Sequence, residues 1–177
     1  MTWDYKHEII EGCEPVLWQE ILRLTNLKDI AEIDIGLRTS IGSLKEEYKN
    51  KEFSVQLSKL FYDYKISQPV EGYISEFLEN RLFYAIKSLG YTLLWVCDEW
   101  DSKRKLYPID ELIKGDELDV ADCVFTPDKS LLLTAHWDSH CSFLCANRPI
   151  LEKFLAFDNF EGFYCTDKTE VYWGFSE

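Results

Sequence analysis

A chain of 177 residues, 46% hydrophobic and 15% aromatic, has the size of one domain and can bury a core without staples, which excludes a disordered polymer. Nineteen Lys and Arg against thirty-two Asp and Glu leave a net charge of −13, a balance that repels nucleic-acid phosphates and attracts basic proteins. No apolar run reaches the ~18 residues of a membrane-spanning helix, and MTWDYKHEII has neither a basic nor an apolar leader region, so a soluble cytosolic protein with reduced thiols is expected.

The first predicted element is a helix over PVLWQEILRLTNL, where Val16, Leu17, Ile21, Leu24 and Leu27 recur at helical spacing. IAEIDIGLRTSIGSL, with two glycines and several β-branched residues, predicts a short extended segment or a loop. LKEEYKNKEFSVQLSKLFYDYKI predicts a second helix, ended by Gln68-Pro69. The strongest helical pattern is EGYISEFLENRLFYAIKSLG: Ile74, Phe77, Leu78, Leu82, Ala85, Ile86 and Leu89 form one stripe and Gly90 supplies the stop. Beyond Gly90 the period shortens. YTLLWVCDEW, DCVFT, SLLLTAHWD, HCSFLCA, EGFYCT and TEVYWGF predict strands separated by TPDKS, NRP and TDK. RPILEKFLAF, with Pro149 in its first turn, predicts one helix among them. The order gives a single α+β domain over residues 1–177, with N-terminal helices packed on a mostly antiparallel C-terminal sheet.

Three constellations could carry chemistry. On a strand, His136, Asp138 and His140 of HWDSH would share one face, a set able to ligate zinc or non-haem iron. Alternate strand residues lie ~6–7 Å apart, however, and the only other histidine is the distant His7, so the same residues also read as polar groups at a strand end. Cys141 and Cys145 form a lone CxxxC pair, and the alternation Cys141, Phe143, Cys145 suits inward-facing core positions better than a metal site. Cys123 and Cys165 fall on other predicted strands, and Cys13 and Cys97 complete the set. No GxSxG, phosphate loop or GxGxxG is present, and Asp138, Ser139 and His140 are too close in sequence to form a triad, so neither an enzyme nor a cofactor is expected. The third constellation is acidic. Asp110, Glu111, Asp116, Glu117, Asp119 and Asp122 crowd one stretch with Lys114 alone opposing them, and Trp95 and Trp100 precede it. Carboxylates steer a basic partner and aromatics anchor it.

SLLLTAHWDSHCSFLCA and LAFDNFEGFYCTDKTEVYW, over residues 124–173, resemble the immunity proteins of contact-dependent inhibition and other polymorphic-toxin systems. The resemblance implies a cytosolic protein that binds and neutralises a cognate toxin domain, often a basic nuclease, and carries over no catalytic residue. The expected partner is therefore a basic protein, with no direct nucleic-acid contact. A homodimer through exposed aromatics is left open by the sequence.

Overall fold

The computed structural model describes residues 5–169, which form an α+β protein. The helices are α1 (Tyr5–Gly12), α2 (Trp18–Leu24), α3 (Ile30–Ile41), α4 (Lys51–Tyr64), α5 (Glu76–Ser88), α6 (Ile109–Lys114) and α7 (Arg148–Leu155). The strands are β1 (Leu93–Cys97), β2 (Arg104–Pro108), β3 (Cys123–Phe125), β4 (Leu131–Ala135) and β5 (Ser142–Ala146). By internal contacts the chain groups into two compact units. Of the described residues, a sheet unit takes 5–15, 70–137 and 141–160, and a helical unit takes 16–69, 138–140 and 161–169.

In the helical unit, Ile21, Leu27, Ile33, Leu37, Leu57, Leu60 and Phe61 of α2, α3 and α4 bury against one another. The segment expected to be extended is the helix α3. Asp29 caps it by accepting the Glu32 N–H at 3.0 Å, and Glu32 reaches back to the Lys28 N–H at 2.8 Å. Gly42, at φ 78°, ends it, and Ser43 N–H returns to Arg38 O at 3.1 Å. The other glycine has a packing role, since a Cβ at Gly36 would stand 2.6 Å from Leu57 Cδ1 and 3.1 Å from the Phe53 carbonyl carbon. The predicted second helix begins later than its pattern suggested. A single 3-10 turn, Glu46–Tyr48, precedes Asn50, whose side chain accepts from Glu52 N and Phe53 N to start α4. The side chain of Leu17 offers α2 no cap. Glu161 instead takes the Trp18 and Gln19 N–H groups at 2.8 and 3.2 Å.

In the sheet unit all pairings are antiparallel, in the order β2-β1-β3-β4-β5. One face, through Leu94, Val96, Val124, Leu131, Leu133 and Ala135, buries against Leu82, Phe83, Ala85 and Ile86 of α5, Ile109, Leu112 and Ile113 of α6, and Phe154 of α7. The other face carries half-buried Trp95, Phe125, Leu132 and Phe143, with the Arg104 guanidinium 5.9 Å over Trp95 and 5.5 Å over Phe125. β2 and α6 carried no clear pattern and were not anticipated. On β5 the inward residues are Leu144 and Ala146, while Cys145 is exposed opposite Leu132, so the expected inward alternation of Cys141, Phe143 and Cys145 is off by one residue. EGFYCT has no regular structure, and TEVYWGF beyond Thr169 lies outside the described residues.

Candidate functional site

At the end of the sheet where β4 finishes at Ala135, the sheet unit holds a cavity of about 360 Å³. Ile74, Val70, Leu118 and Ala135 give it apolar walls. Five carboxylates surround those walls: Glu76 and Glu79 from the first turns of α5, and Asp116, Asp119 and Asp122 from the segment after α6. Tyr5 and Tyr73, both exposed, complete the lining, which contains no lysine or arginine.

The acidic segment is held in shape by its own side chains. Asp119 Oδ1 accepts the Val120 N–H at 2.8 Å and the Tyr73 hydroxyl at 3.2 Å, and Asp122 Oδ2 accepts the Asp119 N–H at 2.9 Å. Ala121, at φ 55°, donates its N–H to Gly72 O at 2.8 Å. Gly72 is itself at φ 74°, and a Cβ there would lie 3.0 Å from Val120 Cγ1 and 3.2 Å from Trp137 O. The segment therefore reaches the cavity as a preformed wall.

The electrostatics follow from this crowding. Burial pushes the Glu79 carboxyl up to about 7, Lys6 beside it pulls the other way, and Asp116 and Glu76 push it further up. Asp122 is raised first by burial, with Asp119 and Asp98 adding to the effect and a hydrogen bond from Asp119 N–H opposing it. Burial also raises the Tyr73 phenol, and Asp119, Asp116 and Asp122 add to the shift. All three groups resist further negative charge, the condition that an incoming cation relieves.

Only part of the acidic stretch seen in the sequence meets here. Asp116, Asp119 and Asp122 line the cavity; Asp110, Glu111 and Glu117 do not. Asp110 and Glu111 occupy the first turn of α6, where the helix dipole favours them, and Asp110 pairs with Lys87. Trp100 is 81% exposed in the β1–β2 turn, whose shape Asp98 fixes by accepting the Ser102 N–H at 2.6 Å. Trp95 sits instead on the outer sheet face under Arg104, away from the cavity lining. Glu76, Glu79, Tyr5 and Tyr73 were missed. Glu79 did leave a signal, since it stands three and four residues before Leu82 and Phe83 on the buried side of α5.

The strand premise for HWDSH is corrected. Residues 136–141 form the turn between β4 and β5, closed by the His136 N–H donating to Cys141 O at 3.0 Å. The His136 ring meets Phe143 edge-on at 6.2 Å. Among the described residues no group of three or more His, Cys, Asp and Glu side chains could hold a metal ion, and His136, Asp138 and His140 are no exception. The thiol expectation is corrected as well. No disulfide joins the six cysteines, but only Cys97 is buried, while Cys13, Cys145 and Cys165 are exposed.

No helix among the described residues is long and apolar enough to cross a membrane. A family model described as a protein of unknown function, DUF2711, matches residues 2–175. Neither a curated protein nor a solved structure matches the chain.

Proposed function

We propose that this chain, which belongs to the DUF2711 family, is a binding protein that seats a basic partner protein against its acidic cavity. One observation carries the reading: Glu76, Asp116, Asp119 and Asp122 converge with Glu79 on a single cavity whose lining holds no lysine or arginine, and Lys6, outside that lining, pairs with Glu79 alone of the five. Aliphatic walls suit the methylene stem of a basic side chain, and the carboxylates suit its head. The net charge of −13 steers such a partner toward encounter. Trp100, held out on a turn shaped by Asp98, supplies an aromatic anchor.

The biological form proposed is a cytosolic immunity protein whose carboxylates occupy positions that a toxin nuclease otherwise uses for substrate phosphates. The acidic surface and the resemblance of residues 124–173 support that form. The test is a pull-down from lysate of the source cell expressing the neighbouring reading frames, at low and high salt. A Glu76→Lys/Asp116→Lys variant is run beside the wild type. One stoichiometric basic partner, released by salt and lost by the variant, is expected. A partner retained equally by the variant would place binding elsewhere, and absence of any partner at either salt would sink the reading.

A further inference from the structure

The N-terminal helix is attached to the sheet unit by a charge. Lys6 is the only buried residue of α1, while Ile9 and Ile10 are half-buried. Its ammonium lies 2.6 Å from Glu79 Oε1, 2.8 Å from Leu112 O and 3.0 Å from Gly115 O, and 5.7 Å from the centre of the Phe83 ring. An ammonium has three donors, and here each finds an acceptor. The two carbonyls belong to the last turn and the cap of α6, the negative end of that helix. His7 Nε2 stands 3.0 Å from Lys114 O in the same turn. Carboxylate, carbonyls and aromatic face together form a socket shaped for a primary ammonium.

Glu79 belongs to this socket and to the lining of the acidic cavity, and Tyr5, the residue before Lys6, lines that cavity too. We propose that α1 is a displaceable strap: Lys6 is the chain's own occupant of a primary-ammonium site, and a lysine of the basic partner competes for it. The proposal rests on the cavity being the binding site. Replacing one ammonium by another preserves all three hydrogen bonds, so displacement forfeits the His7–Lys114 contact and the modest apolar burial of Ile9 and Ile10, which the contacts of the partner offset. A guanidinium is a planar fork with five donors and does not match three acceptors converging on one point, so the site selects lysine over arginine.

Hydrogen exchange on the whole chain tests this, with pentalysine as probe, pentaarginine as comparison and sodium chloride at matched ionic strength. Pentalysine is expected to bind and to strip protection from the α1 amides while leaving those of α5 intact, and pentaarginine to bind without opening α1. If pentalysine binds and α1 stays protected, the strap is overturned while the cavity reading stands. Equal opening by both peptides overturns the selectivity, and failure of both to bind defeats the cavity reading and the strap together. A second arm does not depend on that reading. In Lys6→Ala, n-butylammonium should restore α1 protection where n-butanol and matched salt do not. Absence of that rescue overturns the ammonium site.

Discussion

Lys6 and Glu79 are both almost wholly removed from water, with side chains 0% and 4% exposed. Desolvating two ions costs several kcal/mol each, and the cost is offset here by the ion pair and by two carbonyl acceptors. Removing the carboxylate leaves the buried Lys6 ammonium stranded, so Glu79→Leu should lower stability by about 3–5 kcal/mol in urea unfolding. Lys6→Met/Glu79→Leu should recover part of that loss, because no buried charge then lacks a partner. Glu79 also fixes a pH dependence. Its carboxyl is raised from 4.5 to about 7 by burial, so the folded state holds a proton that the unfolded chain has released. Its contribution is present below pH 4.5 and is lost as pH rises through about 7. The slope in that window is at most about 1.4 kcal/mol per pH unit. Glu79→Gln should flatten it, as read from denaturant midpoints across the window. Among the thiols, burial holds the Cys97 pKa up, whereas Cys13, Cys145 and Cys165 are exposed. Alkylation of the native protein should therefore modify those three first and Cys97 last, as peptide mapping over time would read.

At the scale of elements, the close approach of α3 and α4 depends on Gly36 having no side chain. Gly36→Ala places a methyl against Leu57 Cδ1, which can turn aside, and against the Phe53 backbone, which cannot. A loss of about 1–3 kcal/mol is expected, measured by chemical unfolding. The same residue explains why α3 was hidden in the sequence. Glycine and β-branched residues depress helix propensity, yet burial of Ile33 and Leu37 outweighs that preference. Conversely α5 was legible over Glu76–Ser88 because period and punctuation agree, although residues 71–75, with Ile74 of the expected stripe, precede the helix. β1, β3 and β4 were legible for the same reason. RKLYP on β2 was not, because an edge strand with four exposed positions of five shows no alternation. The β5 register was misjudged because Ser142, Phe143, Leu144, Cys145 and Ala146 offer apolar candidates on both faces.

For the whole molecule, only part of the candidate site could be read in advance. Asp116, Asp119 and Asp122 announce themselves by density of charge, but what brings Glu76, Glu79, Tyr5 and Tyr73 to them is tertiary packing between segments far apart in the chain. No local pattern encodes that convergence. The uniform excess of acid acts at longer range. Association with a basic partner should slow as salt is added, since exposed charges are screened beyond ~8 Å at physiological ionic strength. Glu76→Lys/Asp116→Lys should both slow association and weaken its salt dependence, as stopped-flow mixing would show. An unchanged salt slope in that variant would mean the global charge, and not the cavity, guides encounter.

The burial of Lys6 also makes it a natural reporter. An amine-acylating reagent reaches exposed lysines such as Lys28 and Lys59 at once but finds Lys6 only when α1 lifts away. Its acylation rate therefore tracks the fraction of molecules in which the N-terminal helix is open, and the neutral amide that forms no longer offers the socket an ammonium. A brief acylation pulse in the presence and absence of a partner would thus leave a permanent covalent record of which molecules had opened.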